Sequence, residues 1–468
     1  MTIIDHRGHD LVIIPNEEMS HRPTPELLQA LFGAHLPGET LAVMGRDKRH
    51  AFLRTQPIHF QAVKQALEAQ NTPYSVAFEE KPMLPFATTL QVEPRPYQNE
   101  ALAHWLAEGS RGVIILPTGS GKTLVAAMAI HETGLWTLAV VPTLDLLQQW
   151  RAALASALSL STGEIGVFGG GEKEMKPITI ITYDSAALYP RELKRFGLLI
   201  FDECHHLPAP TYRLIAESAF TPRRLGLSAT PERSDMTHLD LERLIGPEVY
   251  RRSPAELTEG RYLAQYKEVC IDIELSSEDE AHYAEQRRIY RSFLQRRHIV
   301  IRSPEEFQQK IIFLSARDPE ARKAMLAWRE ARNIAMNAPA KYIEIERLLQ
   351  LHAADQVILF SEYNQVVDEI SLRFCLPNIT YKTPTEERRV ILERFRSGQY
   401  SKLVSGRVLN EGVDVPDCRV AIIVSGNSTK REYIQRLGRV LRPKAGQALL
   451  YELVTSSTTE EEMAKRRK

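Results

Sequence analysis

Cysteine is scarce in this chain: Cys204, Cys270, Cys375 and Cys418 are the four thiols among 468 residues. They lie far apart and form no C-x-x-C pair, so neither a zinc ribbon nor an iron–sulfur cluster is signalled and reduced thiols are expected. Excess charge is missing too. Lys+Arg and Asp+Glu both number 59, so the chain as a whole exerts no pull on a polyanion, and any nucleic-acid contact must come from local patches. No run approaches the ~18 apolar residues of a membrane-spanning helix. Met1 to Arg7 lack a basic segment with an apolar core behind it, so no secretion leader is read and a cytoplasmic location is expected. No short repeat or low-complexity tract is visible. What is present is ordinary globular composition, 43% apolar and 25% charged. The length suits about three domains.

Against that plain background one stretch is specific. Leu116 to Thr123, LPTGSGKT, follows the β-branched run Gly112 to Ile115 and leads into a helical pattern from Leu124 to Ile130. Strand, glycine-rich loop and helix, in that order, make a phosphate cradle. Gly119 and Gly121 let the backbone turn tightly and aim N–H groups at phosphate oxygens, with Thr118 and Ser120 between and beside them. The helix N-terminus favours an anion, Lys122 can reach the β- and γ-phosphates, and the Thr123 hydroxyl can ligate Mg²⁺. The strict pattern has glycine where this chain has Leu116.

The surroundings suggest how the cradle is mounted. Residues 1 to about 90 read as a small α+β domain, with strands at Leu11 to Ile14, Thr40 to Met44 and Tyr74 to Phe78, and helices at Pro25 to Phe32 and Pro57 to Ala69. Prolines 82, 85, 94 and 96 mark a linker. From about 91 to 255, strands at Gly112 to Leu116, Thr137 to Val141, Ile178 to Ile181, Leu198 to Phe201 and Leu225 to Ser228 alternate with helices. That alternation implies a parallel sheet covered on both faces, with ligands at its carboxyl edge. Residues 256–468 read as a second α/β lobe, with strands at Gln356 to Ser361, Lys402 to Ser405, Val420 to Ser425 and Ala448 to Val454. A polar helical insert precedes them, at about 276–337. Within it Arg287 to Arg297 carries five arginines with Tyr290 and Phe293, which suits either a base-stacking surface or a solvated helix face with aromatics inward. The end, from Glu460 to Lys468, reads as a disordered tail.

Three further signals fit nucleotide hydrolysis. Asp202 and Glu203 leave the strand end Leu198 to Phe201. Asp202 would hold the Mg²⁺ hydration shell and Glu203 would orient and deprotonate the attacking water. Adjacent residues there point in different directions, so one carboxylate can face metal and the other water. His205 and His206 cannot easily converge on one ion and are expected to make inter-lobe hydrogen bonds. Ser228 and Thr230, in the Ser-Ala-Thr that ends another strand, can relay the state of the γ-phosphate. In the second lobe Arg436, Arg439 and Arg442 recur every third residue, near one helix face. Arg439 and Arg442 are the candidates for arginine fingers reaching the phosphate across a cleft.

Taken as an ordered set, RPYQ (Arg95 to Gln98), PTGSGKT, VVPTLDLL, ITYDSA, DECH, SAT, EGVDVP (Glu411 to Pro416) and QRLGRVLR resemble superfamily 2 helicases, and most closely the XPB-type DNA helicases in their short archaeal and bacterial form. The resemblance covers nearly the whole chain from Arg95. It implies two RecA-like lobes, ATP with Mg²⁺, a 3′ to 5′ polarity and a role in DNA repair or unwinding. It places Arg95 and Gln98 at the nucleotide, with Gln98 on adenine, and has Gly412 and Asp414 couple the lobes. Residues 1–90 would match the family's damage-recognition domain and the insert its thumb. Thr143, Thr182 and Tyr183 would touch DNA, whether forked, duplex or single-stranded. A nuclease partner is implied by archaeal relatives. One departure stands out: the family's Arg-Glu-Asp after SAT is here Arg233-Ser234-Asp235, which puts the strength of strand separation in question. Two other readings stay open, an ATP-sensing DNA-binding scaffold that recruits a nuclease and an RNA helicase.

Overall fold

The computed structural model describes residues 2–7, 10–14, 45–46, 53–69, 71–77, 82–219, 221–229, 239–259, 266–301, 304–406, 418–425 and 448–467. The chain divides into two compact units, Met1–Leu257 and Thr258–Lys468.

The first unit carries two sheets. The N-terminal one has five strands in the order Gly45–Arg46, Leu53–Thr55, Asp10–Ile14, Thr2–Arg7 and Tyr74–Val76. All its pairings are antiparallel except the last, which is parallel. Helix Phe60–Ala69 closes its core by presenting Phe60, Val63 and Leu67, spaced three and four residues apart, to Ile4, Leu11 and Ile13. This is the expected α+β arrangement. The strand expected at Thr40 to Met44 and the helix at Pro25 to Phe32 lie outside the described residues. The proline-rich connection is laid down along its neighbours: Trp136 donates to the Pro82 carbonyl at 2.8 Å, and Leu84, Thr89 and Gln91 donate to Gly134, Leu158 and Ala157.

The second sheet has eight strands, ordered Glu248–Arg251, Arg111–Ile115, Arg223–Ser228, Leu198–Asp202, Thr137–Val141, Ile178–Thr182, Ile165–Gly169 and Glu172–Glu174. All pair in parallel except the final hairpin. The five middle strands are the ones read from apolar runs, and they are buried on both faces. The outer three lack that signal: Ile165–Gly169 is interrupted by glycines, Glu248–Arg251 is charged at both ends, and Glu172–Glu174 is wholly charged and exposed.

The second unit is built on a six-stranded, all-parallel sheet ordered Tyr266–Ile273, Ala448–Thr455, Val420–Ser425, Val357–Ser361, Lys402–Ser405 and Asn378–Ile379. The helical insert is present as Ser277–Arg296 packed on Pro319–Met336. Its aromatics settle one open alternative. Tyr290 and Phe293 are buried among Ile311, Ala321 and Ala324, so they form the insert's own core and not a stacking surface. The expected disordered tail is also corrected. Thr459–Arg467 is a helix, because Glu460 is buried against Lys341 at 2.7 Å and accepts the Thr455 N–H at 3.0 Å. An interior ion pair with its remaining bonds satisfied anchors the segment.

In the first unit the turn Pro57–His59 packs on helix Arg213–Glu217 and Ile58 joins the core of the eight-stranded sheet. Burial first, then the Arg243 charge, holds the His59 ring down to about 4; Glu217 opposes this and Arg224 adds to it. A histidine depressed in the fold binds its proton more readily when unfolded. Its stabilisation is therefore present above the unfolded value of ~6.5 and is lost as pH falls toward the folded value. The expected outcome is a melting temperature that drops on acidification across this window, with a shallower drop in His59→Gln, followed by circular dichroism.

Candidate nucleotide site

Parallel register gathers the strand ends. Ile115 pairs with Ser228, Leu227 with Asp202, and Val141 with Thr182, so the glycine-rich loop, the acid pair and the Ser-Ala-Thr segment share one carboxyl edge. The loop leaves strand Arg111–Ile115 and enters helix Lys122–Thr133. Gly119 and Gly121 have φ of +80° and +83°, the left-handed region that a side chain disfavours. A Cβ on Gly121 would lie 2.6 Å from Gln98 Nε2. The Thr118 hydroxyl is buried with no hydrogen-bond partner among the described residues. Thr123 sits half-buried on the first turn of the helix. Glycines where backbone must approach a ligand, a hydroxyl left for one and a lysine beside them fit a nucleotide's phosphates.

The RPYQ segment acts on this loop. Helix Pro96–Ala107 buries Tyr97 and Gln98, and both donate to the Ser120 carbonyl, at 2.6 and 2.9 Å. Gln98 Oε1 accepts the Arg95 N–H at 2.9 Å, and an Arg95 guanidinium nitrogen donates to the Tyr97 hydroxyl at 3.3 Å. Gln98, expected on adenine, thus has both ends of its amide engaged within the protein. A carbonyl buried at a tight turn needs donors, and Gln98 supplies one.

The acid pair is asymmetric. Asp202, buried at its strand end, accepts the Trp150 indole N–H at 3.0 Å, and its main-chain carbonyl accepts the Tyr183 hydroxyl at 3.0 Å. Burial pushes its carboxyl up to about 7, the neighbouring Glu203 charge adds to the rise, and Lys122 pulls it back. Glu203 has φ +44°, a conformation in which a non-glycine residue is strained. This sharp turn sends consecutive carboxylates in different directions, as the sequence suggested. Glu203 Oε1 lies 3.9 Å from Lys122 Nζ, which also donates to the Leu116 carbonyl at 3.4 Å. Its other oxygen is 3.5 Å from His205 Nδ1, and that same ring nitrogen is 3.3 Å from Ser228 Oγ. His205 thus meets both of these groups inside the first unit. It is fully buried and ties the acid pair to the Ser-Ala-Thr strand within one sheet.

The residues expected at DNA fare unequally. Thr143 and Thr182 stand at the same edge, but their hydroxyls cap helices, accepting from the backbone of Leu146 and Ser185 at 3.3 Å each. Tyr183 is not a surface contact: it is 1% exposed, and its hydroxyl serves Asp202. Burial raises its phenol well above the usual range. Thr230, Arg233, Ser234, Asp235, Gly412, Asp414, Arg439 and Arg442 lie outside the described residues. Sequence reasoning missed Trp150 and Tyr97 as site neighbours; the one available hint was their place inside the VVPTLDLL and RPYQ stretches or just beyond them.

Residues 91–233 match the family model of the type III restriction enzyme res subunit, and residues 340–444 match the helicase conserved C-terminal domain. A DNA 3′-5′ translocase XPB2 of Sulfurisphaera tokodaii is 43% identical over 379 residues, covering 81% of this chain and 85% of that protein. The chain belongs to the XPB family of superfamily 2 helicases. A DNA 3′-5′ helicase XPB of Mycobacterium tuberculosis is 32% identical over 385 residues, 80% of this chain and 62% of its own length. The fold also matches the Pyrococcus furiosus Hef helicase domain, at a TM-score of 0.54 and 18% identity over 80% of this chain and 97% of that one. Parallel-sheet lobes of the RecA-like kind with a helical insert are thus the architecture of this XPB family member. Membership in helicase families implies nucleotide use, and the cradle around Lys122 is where the geometry accommodates it.

Gly121→Ala tests the cradle. A left-handed alanine is strained by ~1–2 kcal/mol, and its methyl would displace the Gln98 amide. At least about tenfold weaker ATP binding in isothermal titration calorimetry is expected, with the fold retained.

Proposed function

We propose that the protein is an ATP-dependent 3′ to 5′ DNA translocase and helicase that couples hydrolysis to duplex opening in DNA repair. The observation that carries the reading is the meeting of Lys122, Asp202 and Glu203 at one sheet edge, with Glu203 Oε1 3.9 Å from the lysine. In this reading Gly119, Ser120 and Gly121 cradle the phosphates with main-chain N–H groups, and Lys122 neutralises the β- and γ-phosphates. Thr123 and Asp202 would hold Mg²⁺, which when bound supplies charge neutralisation at the transferring phosphate. Glu203, free of that duty, takes the proton of the attacking water. Arg439 and Arg442 from the second lobe would stabilise the transferring phosphate, and Gly412 and Asp414 would link lobe movement to it. Ser228 would report the phosphate state through His205, a role Thr230 of the same Ser-Ala-Thr segment would share.

Residues 1–90 are read as the damage-recognition-like domain, 91–255 and 256–468 as the two helicase lobes, and the insert as a thumb. DNA would cross both lobes near Thr143, Thr182, Arg233 and Asp235, held mainly through phosphates. A nuclease partner and a cytoplasmic location complete the proposal. No helix among the described residues is long and apolar enough to cross a membrane.

Lys122→Ala and Glu203→Gln are expected to abolish DNA-stimulated ATP hydrolysis while the proteins remain folded. Unchanged turnover in both would remove these assignments. DNA binding should weaken steeply between low and moderate salt, as phosphate-dominated contacts do. A second reading, an ATP-sensing scaffold that recruits a nuclease, is favoured by Ser234 in place of the family's acid. Strand displacement on a forked duplex separates the two, since a scaffold binds and hydrolyses without separating strands. Stimulation by RNA equal to that by DNA would favour an RNA helicase.

A further inference from the structure

Asp202 is held by two aromatic side chains, Trp150 just beyond the VVPTLDLL stretch and Tyr183 within ITYDSA. Trp150 lies on helix Leu144–Leu158, which follows strand Thr137–Val141, and is 2% exposed. Its indole nitrogen is 3.0 Å from Asp202 Oδ2. Tyr183, on the helix after strand Ile178–Thr182, grips the main-chain carbonyl of the same residue at 3.0 Å. Strand Thr137–Val141 lies between the aspartate's strand and Ile178–Thr182, so one donor follows the neighbouring strand and the other the strand beyond it.

An indole N–H is a donor only, and its hydrogen bond is stronger where the acceptor oxygen carries negative charge. The bond to Oδ2 spends one lone pair, fixes the rotation of the carboxylate and leaves its remaining oxygen surface for a cation. A fixed donor on one oxygen holds the aim of a carboxylate whose other oxygen would meet a metal. The protein contains a second buried indole for comparison. Trp105 is 0% exposed and donates at 3.0 Å to the Arg224 main-chain carbonyl, a neutral acceptor outside the acid pair.

We propose that Trp150 is a positioning residue for the magnesium–nucleotide complex, acting through its hydrogen bond to the Asp202 carboxylate. The proposal rests on the nucleotide reading given above. Trp150→Phe keeps an aromatic ring and removes the donor. ADP affinity of the full chain, measured calorimetrically with and without Mg²⁺, reads the effect without turnover. In the wild-type protein Mg²⁺ should tighten ADP binding. In Trp150→Phe that gain should shrink about tenfold or more, the scale of a lost hydrogen bond to a charged group, while metal-free ADP affinity stays the same. Trp105→Phe should keep the full magnesium gain even if it melts at a lower temperature. If Trp150→Phe does not fold, site-specific β-(3-benzothienyl)alanine at position 150 replaces the N–H by sulfur at nearly constant volume and should give the same loss. A folded Trp150 variant that retains the gain, or loses no more than Trp105→Phe, overturns the positioning role. A wild-type protein without any magnesium gain overturns the nucleotide reading and the inference with it.

Discussion

A carboxylate buried at the end of a β-strand is tolerable only where charge and hydrogen bonds meet it. Asp202 is such a group, and much of the first unit can be understood as the arrangement that makes it acceptable. The strand that carries it must be central, so its neighbours are apolar on both faces. Its donors must come from adjacent crossover helices, so Trp150 and Tyr183 are buried far from any surface role. Its cation must come from the loop one strand further over, so Lys122 opens the helix beside it. The parallel register brings all of these to the same edge without any long-range search by the chain.

The glycine-rich loop depends on a second constraint of the same kind. The Ser120 carbonyl faces inward at a tight turn and is satisfied by Tyr97 and Gln98 together. The segment preceding the sheet is thereby fastened to the phosphate cradle, and a change in the loop has a direct route to the helix Pro96–Ala107. Likewise Glu203 does not stand alone: His205 links it to Ser228, two strands of one sheet sharing a single ring nitrogen.

What could be read beforehand follows from where the physical information resides. Strands such as Lys402–Ser405 and Val420–Ser425 were legible to the residue, because strands buried on both faces need unbroken apolar runs. The phosphate loop and acid pair were legible because their chemistry is confined to a few consecutive residues. The edge strand Glu172–Glu174 carries no such pattern and is held only by its hairpin partner. The tail helix was illegible because its anchor, Lys341, lies more than a hundred residues away. Tyr183 and Trp150 were misjudged or unseen for the same reason: a polar aromatic shows its partner only once the sheet is assembled. The left-handed Glu203 could not be read from a non-glycine residue at all.

The connection between the small N-terminal domain and the eight-stranded sheet bears on how this protein can be dissected. The family match begins at residue 91, yet residues 82–89 already belong to the sheet's outer wrapping, with Pro82 on Trp136, Met83 bridged to Leu135 and Thr88 against His131. His131 sits at the far end of the very helix whose first residue is Lys122. A truncation placed at the motif boundary would strip a cover from that helix and expose Leu135, so a shortened motor would inherit a bare apolar seam. A cut upstream of Pro82 would spare this wrapping but would still remove Ile58 from the core of the eight-stranded sheet.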